Sequence, residues 1–294
     1  MRERRSRVNA REIAAGYVFV LPALLFFLIF QVYPLIRTVA LSLMEYVGQS
    51  FRFVGLQNYR DLTGDSVFIR SIINSTLFVV LNVPLIIAFS LAVSFFIYRK
   101  GRVALGFYRI AFYLPSVASI VTICVVWKNM LNPIMGLINY LCGRVGIPPI
   151  NWLGSNFALG TLTLILFSIN VGMSIILYIA AMQGISHEVT EAALIDGANR
   201  RNLFFKIIVP LVRPTTLFVI VINTINLFQS FALVNLMTKG GPFYSTTTIV
   251  FQLYETAFGL QKFGLASAMG ICLGVIISVV SIFQFKIADR TTGS

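Results

Sequence analysis

The sequence predicts an all-α integral membrane protein with six transmembrane helices and both termini in the cytoplasm. The first observation is composition: 57% of the 294 residues are hydrophobic and only 11% are charged, whereas soluble domains carry about 25% charged residues. The second is that the apolar residues gather in six runs, each reaching the roughly 20 residues that a spanning helix needs. The third is an uneven distribution of Lys and Arg between alternate connections, which sets the orientation.

The six apolar runs define the predicted organisation of the chain. They lie near Ala15–Ile36, Ser71–Tyr98, Phe107–Lys128, Phe157–Met182, Pro214–Leu236 and Gly264–Phe285. The first run follows basic residues, as in a signal peptide, but it is long enough to span and no small-residue cleavage site follows it, so we interpret it as an uncleaved helix. The predicted parts are a basic N-terminus at 1–14, a first transmembrane helix at 15–36, a core transmembrane domain at 71–285 containing a charged insert at 186–213, and a C-terminal tail at 286–294.

Basic residues are concentrated on one side of the predicted membrane. The N-terminus, the connection at 99–109, the insert and the C-terminus hold most of the 23 Lys and Arg residues, and the three longer connections hold the rest. Because cytoplasmic connections carry the excess of Lys and Arg, this side is predicted to be cytoplasmic. The same bias accounts for the net charge of +13. We therefore expect a multi-pass protein of the cell membrane that contacts lipid and has no nucleic-acid partner.

Groups that carry chemistry are missing from the predicted spans. The ten Asp and Glu residues all fall in connections or termini, whereas an ion-coupled carrier usually holds a carboxylate within the membrane. The sequence has no GxxxxGK[ST] phosphate-binding loop, and its single His187 belongs to no metal-ligand pattern. We predict no catalytic residue, no metal site and no cofactor bound by this chain. A secondary carrier and a membrane enzyme acting on lipid-linked substrates remain as disfavoured alternatives.

The charged insert predicts two short helices joined by a turn. Ser186 can cap the first helix, with Glu188 at its positive end, and Gly197 is typical of a helix end. A second amphipathic stretch follows at Asn202–Val209. One small face of the first helix is predicted from i, i+3, i+4, i+7 spacing, and its members are Val189, Ala192, Ala193 and Asp196. From the residues alone, the insert either projects into a groove of a soluble protein or is a solvated loop with a lipid-facing helix.

The insert resembles the signature of ABC-importer permeases, which reads EAA, three residues, G, nine residues, I, one residue, LP. The only departure is Val209 in place of Leu, and the matching residues are Glu191, Ala192, Ala193, Gly197, Ile207 and Pro210. Other stretches resemble the carbohydrate-uptake branch of these permeases: LPALLFFLIFQVYPLIRT at 21–38, FVGLQNYRDL at 53–62 and MTKGGPFYSTTTIVFQLYETAF at 237–258. The subunit type most resembled is that of the maltose, lactose and glycerol-3-phosphate permeases.

This resemblance implies the fold of a binding-protein-dependent transport inner-membrane component and a set of partners. A second permease, usually a paralogue, and two ATPase subunits holding ATP and Mg would complete the complex, and an extracytoplasmic solute-binding protein would deliver the substrate. The chain itself would not be an enzyme. The insert would be the coupling helix, with Glu191 meeting a basic residue of the ATPase and Gly197 allowing the turn. The implied cargo is a sugar or oligosaccharide, with another polar solute such as glycerol-3-phosphate as the alternative.

Polar residues within the fourth and fifth spans predict a substrate path. A sugar needs hydrogen-bonding groups in an otherwise apolar cavity, and Asn223, Asn226 and Ser230 share one face of a continuous helix by spacing. The resemblance to the maltose-type permease adds the positions that match those lining its sugar site. The full set comprises Ser168, Asn170, Met173, Asn223, Asn226, Leu227 and Ser230. The alternative is that these amides only join helices, at about 0.6 kcal/mol for each bond.

Overall fold

The computed structural model describes residues 10–47 and 50–292, and helices dominate these ranges. Four helices are long and apolar enough to cross a membrane, namely Gly16–Ser42, Ser66–Ile97, Ala158–Gln183 and Phe263–Ile287. The number rises to six if each of two bent helix pairs counts as one span. The helical membrane class is thus confirmed with four to six candidate spans. Residues 1–9 of the predicted N-terminus and 293–294 of the predicted tail lie outside the described residues.

The helices follow one another with few long connections. In chain order they are α1 Ala10–Phe27, α2 Tyr33–Ser42, α3 Gln57–Gly64, α4 Ser66–Ile97, α5 Arg102–Val117, α6 Ile120–Met130, α7 Leu137–Arg144, α8 Ala158–Gln183, α9 His187–Ile195, α10 Arg200–Asn202, α11 Val209–Leu211, α12 Arg213–Phe228, α13 Ala232–Met237, α14 Ile249–Tyr254 and α15 Phe263–Thr292. Wider π-helical turns at Leu28–Val32, Leu203–Ile208 and Glu255–Gly259 continue the neighbouring helices.

The centre of the protein is the packing of α4, α5 and α8. Ser94 Oγ of α4 donates a 3.1 Å hydrogen bond to the Ile175 carbonyl of α8. One turn earlier in α8, a Cβ at Gly172 would lie 2.2 Å from the Phe112 carbonyl oxygen of α5. Ser116 Oγ donates a 2.6 Å bond to the Ile169 carbonyl at the same crossing. Glycine at this position therefore lets two helix backbones come into direct contact, which is how membrane helices gain packing energy.

The first span lies apart from this centre. The predicted helix 15–36 falls within a longer helical stretch that begins at Ala10 and ends at Ser42. None of its most apolar window is buried inside the chain, and its main contact with another span is the packing of α2 on α15. Apolar side chains that face outward are expected where the surroundings are lipid rather than water.

Two predicted spans are bent rather than straight, which corrects the predicted runs 107–128 and 214–236. The third breaks at residues 118–119, where the backbone of Ala118 is extended, and α5 and α6 meet at 94°. Pro115 lies one turn before this break and removes a backbone donor there. The fifth ends at Phe228, turns, and resumes as α13. At its other end α12 makes an angle of 68° with the helical segment Arg200–Leu211.

A short hairpin joins the first span to α3 and was not predicted from the sequence. Strand β1 (Met44–Val47) pairs antiparallel with β2 (Ser50–Phe53). Asn58 Nδ2 fixes the start of the hairpin by donating to the carbonyls of Ser42, at 2.8 Å, and Met44, at 2.9 Å. The all-α prediction therefore omitted one small element, which packs against the start of α15.

The loop before α14 is fastened to α4. Asn74 Nδ2 donates 3.0 Å hydrogen bonds to the carbonyls of Tyr244 and Thr247, and the backbone N–H of Ile249 donates to Ser75 Oγ at 3.1 Å. The loop presents Phe243, whose side chain is 91% exposed. Because buried backbone carbonyls need partners, these bonds explain how an irregular segment is held against a spanning helix.

Candidate functional site

The first helix of the charged insert is α9, and its two ends have the predicted geometry. Ser186 Oγ accepts a 3.4 Å hydrogen bond from the Val189 N–H at the start. At the end, Gly197 has a φ of +84°, and the Ala198 N–H donates to the Ala193 carbonyl at 2.9 Å. This is the glycine-terminated helix end in which a left-handed residue satisfies free carbonyls. The chain turns there, and the segment Leu203–Ile208 that follows packs against α9.

The faces of α9 differ from the prediction. Thr190 and Ala193 are buried against the chain, at 2% and 8% exposure, whereas Ile195 is 86% exposed. The predicted small face is therefore wrong as a unit, because Ala193 packs inward while Val189, Ala192 and Asp196 are exposed. The reason is that α9 packs against the rest of the chain through one narrow side, which contains Thr190 and Ala193. Its wider side is exposed.

Glu191 lies on the free side of α9. Its Oε1 is 3.3 Å from His187 Nδ1, one turn earlier, and both side chains are largely exposed. An exposed pair of this kind contributes little to stability. The carboxylate of Glu191 is therefore accessible to a cationic group on another protein.

The second arm of the insert is one helical segment, Arg200–Leu211, longer than the predicted 202–209. Asn199 Oδ1 caps it by accepting a 2.8 Å bond from the Asn202 N–H. Ile208 is fully buried in a cluster with Tyr178 and Met182 of α8. The motif residues Ile207 and Pro210 are both half-buried. This arm therefore fastens the insert to the spans, while α9 projects.

The predicted substrate-path residues of α12 and its C-terminal end do not share one environment. Asn223 is buried and its Nδ2 donates to Ser174 Oγ of α8 at 3.2 Å and to the Val219 carbonyl at 2.8 Å. Leu227 is also fully buried, whereas Asn226 is exposed. Ser230 lies beyond the end of the helix, half-buried. The predicted common face of Asn223, Asn226 and Ser230 is therefore wrong, because the helix ends at Phe228.

The predicted substrate-path residues on α8 are all at least partly accessible. Ser168 Oγ and Asn170 Nδ2 bond to carbonyls of their own helix, at 2.7 and 2.8 Å, and both residues are half-buried. Met173 is 47% exposed. Gly172 in the same helix admits the backbone of α5. Of the seven predicted residues, Met173 and Asn226 are the ones that an external molecule reaches most directly.

Sequence reasoning missed a set of polar contacts around the insert. They involve Arg99, Arg109, Gln183 and Thr190, whose side chains bond across helix ends. A polar residue at the end of an apolar run was the available indication for Gln183 and Arg109. Among the described residues, no group of three or more His, Cys, Asp and Glu side chains could hold a metal ion.

Comparison with known proteins assigns the chain to a family. Residues 66–293 match the family described as binding-protein-dependent transport system inner membrane component. The chain belongs to this family. It is therefore an inner-membrane component of a transporter rather than an enzyme, and it works with a solute-binding protein and an ATPase. The predicted resemblance to ABC-importer permeases and the predicted membrane location are confirmed.

Individual relatives are similar over almost their whole length. The probable ABC transporter permease protein YesP of Bacillus subtilis is 32% identical, covering 96% of this chain and 93% of the relative. The lactose transport system permease protein LacF of Rhizobium radiobacter is 31% identical, with 93% of each covered. The sn-glycerol-3-phosphate transport system permease protein UgpA of Agrobacterium fabrum is 30% identical, over 93% of this chain and 94% of the relative.

A solved structure has the same fold. A chain of a bacterial alginate ABC transporter, crystallised in complex with an alginate pentasaccharide-bound periplasmic protein, aligns with a TM-score of 0.86 at 22% identity, covering 96% of both chains. At this identity the likeness establishes the fold alone. It agrees with the family assignment from the sequence.

Proposed function

We propose that this chain is the transmembrane permease subunit of an ATP-driven importer, forms the translocation path for a sugar or oligosaccharide, and couples to a separate ATPase through the insert at 186–213. The observation that carries the coupling role is the division of α9, with Thr190 and Ala193 buried against the chain while Glu191 and Ile195 are free. A helix fixed on one side and open on the other fits a groove of a partner.

The proposed topology has six spans with both termini in the cytoplasm. α5 and α6 together count as one bent span. α12, with the turn and α13 that follow it, counts as the fifth span, while the segment Arg200–Leu211 belongs to the insert. The concentration of Lys and Arg at the termini, at 99–109 and in the insert supports this orientation. The core domain is then 71–285, with the insert on the cytoplasmic side.

The proposed complex contains a second permease, usually a paralogue, two ATPase subunits and an extracytoplasmic solute-binding protein. ATP and Mg would bind to the ATPase subunits, and this chain would bind no cofactor. The free carboxylate of Glu191 would meet a basic residue of the ATPase, and Gly197 would shape the turn that follows α9. Closure of the ATPase pair would then move α9 relative to the membrane.

The proposed substrate path runs along α8, α12 and the turn that follows α12. Met173 and Asn226 would contact the solute, with Ser168, Asn170 and Ser230 beside them. Asn223 and Leu227, being buried, would hold the wall of the path in place. The sugar assignment is supported by the lactose permease LacF among the relatives, and a glycerol-3-phosphate cargo by UgpA.

Reconstitution in proteoliposomes tests this function. The chain would be co-expressed with its neighbouring permease, ATPase and binding protein, and uptake of radiolabelled lactose, maltose and glycerol-3-phosphate would be measured with ATP inside. We expect ATP-dependent uptake of a saccharide that requires the binding protein. If only glycerol-3-phosphate is taken up, the cargo is that solute and not a sugar. Absence of a co-purifying ATPase would contradict the importer function as a whole.

A further inference from the structure

We propose that two sets of polar contacts, Thr190 with Arg99 and the neighbouring Tyr98 carbonyl with Gln183 and Arg109, transmit movement of α9 to the cytoplasmic end of α4 and to α5. This inference rests on the proposed coupling function and names the residues that would carry it inside this subunit. The neighbouring spans α8 and α12 are joined to the insert by the backbone. The ends of α4 and α5 are not, so any movement must reach them through side chains.

The first contact links α9 to the turn after α4. Arg99 Nη2 donates to Thr190 Oγ1, and the same hydroxyl donates to the His187 carbonyl at 2.8 Å. Thr190 is 2% exposed, so this contact is shielded from water on the α9 side. A hydrogen bond from a charged donor is stronger than one between neutral groups. It therefore ties the buried side of α9 directly to the α4–α5 connection.

The second contact joins the ends of α4 and α8 to the middle of α5 at one amide. Gln183 is the last residue of α8, three residues before the cap of α9. Its Nε2 donates to the Tyr98 carbonyl after α4 at 3.4 Å, and its Oε1 accepts from Arg109 Nη2 of α5 at 2.9 Å. One side chain thus connects α4, α5 and α8 at the level where the insert begins.

The third feature is the incomplete bonding of Arg109. Its Nε is buried and has no hydrogen-bond partner within the described residues. The guanidinium has five N–H donors in a fixed geometry, and the bond to Gln183 uses one of them. A link with spare donors can exchange partners as helices shift, so it suits a joint between moving spans better than a permanent fastening.

The polar contacts of Thr190 and Arg99 lie beside apolar ones, and this sets their role in coupling. The surrounding contacts of the insert are apolar, formed by a cluster that includes Tyr98, Met182, Ala193 and Leu203. Apolar packing is non-directional and permits sliding, whereas a hydrogen bond fixes a particular register. Thr190 and Arg99 are therefore positioning residues for coupling.

The test measures transport and ATP hydrolysis separately in the reconstituted complex. Thr190→Val keeps the shape but removes the acceptor, and Arg99→Gln removes the charged donor from the other side. We expect each variant to co-purify with the ATPase and hydrolyse ATP, while uptake per ATP hydrolysed falls about tenfold, the size expected for losing one charged hydrogen bond. Thr190→Ser should restore the wild-type ratio.

A double variant and a matched control decide the interpretation. If the two residues act through one contact, Thr190→Val combined with Arg99→Gln should be no worse than either alone. Thr76→Val is the control, because Thr76 Oγ1 also bonds its own helix, to the Ile72 carbonyl at 2.8 Å, but is exposed. Wild-type ratios in both single variants, additive losses, or loss of assembly in both would overturn the proposal. A wild-type complex that does not couple ATP hydrolysis to uptake would instead contradict the proposed function.

Discussion

Asn223 of α12 donates a 3.2 Å hydrogen bond to Ser174 of α8, and both side chains are buried. The two helices that would bound the substrate path are thus joined by a polar contact behind its surface. Tyr178 strengthens the same junction, since its hydroxyl donates to Thr216 Oγ1 at 3.1 Å. The two amides of the fifth span therefore differ in role: Asn223 holds α12 against α8, and Asn226 is exposed.

Asn223→Ala and Asn226→Ala should consequently have different effects. Loss of the Asn223 contact should lower the thermal stability of the detergent-solubilised complex, at a cost of about 0.6 kcal/mol and at most about 2. Asn226→Ala should leave stability unchanged and alter the apparent affinity for solute or the preference among sugars. Thermal unfolding followed by size-exclusion chromatography, together with uptake assays, would separate the two. Equal effects of both variants on uptake with no change in stability would contradict this division.

Glu191→Lys should detach the ATPase while leaving the chain in the membrane. A reversed charge at a docking face costs about 2–5 kcal/mol through repulsion and an unpaired partner group. We expect loss of ATPase co-purification and of uptake, with normal amounts of chain in the membrane. Glu45→Lys is the matched control, since Glu45 is also exposed but lies in the hairpin after the first span. Normal co-purification of the Glu191 variant would show that the ATPase docks elsewhere.

Gly197→Ala should weaken coupling through the backbone alone. A Cβ at Gly197 would meet no atom within 4 Å, so the cost of about 1–2 kcal/mol comes from the positive φ. Gly197→Asn should be milder, because Asn adopts this conformation more readily. The measurement is ATPase stimulation by loaded binding protein in both variants. A reduction that is larger for Asn than for Ala would indicate a docking clash rather than a strained turn.

The sequence predicts the helical membrane class and the position of the insert, because long apolar runs and the spaced motif residues from Glu191 to Pro210 are strong patterns. It could not predict which side of α12 is buried. In a bilayer both the lipid-facing and the packed faces of a helix are apolar, so periodicity does not separate them. The ends of α5 and α12 also escaped prediction, because the extended backbone at Ala118 and the turn after Phe228 depend on packing elsewhere in the chain. The hairpin before α3 is too short for its pattern to be distinctive.

Gly172→Ala should destabilise the protein, whereas Gly160→Ala in the same helix should not. The added methyl group at Gly172 would lie 2.2 Å from the Phe112 carbonyl oxygen, while at Gly160 it would meet nothing within 4 Å. Separating α5 from α8 should cost about 1–3 kcal/mol. Gly160→Ala should be neutral or slightly stabilising, since alanine is the better helix former. Melting temperatures of the purified complexes would check this, and equal values for both variants would contradict the direct backbone contact.

Labelling from the two sides of the membrane should place α9 and the loop before α14 on opposite faces. Ile195 and Phe243 are 86% and 91% exposed, so cysteines introduced there should react readily with a maleimide. The three native cysteines, Cys124, Cys142 and Cys272, would first be replaced by alanine or serine. In whole cells an impermeant reagent should label the Phe243→Cys variant at once and the Ile195→Cys variant only after the membrane is opened, in the absence of the ATPase. Immediate external labelling at position 195 would reverse the orientation drawn from the basic residues, and it would remove the insert from the side on which ATP is available.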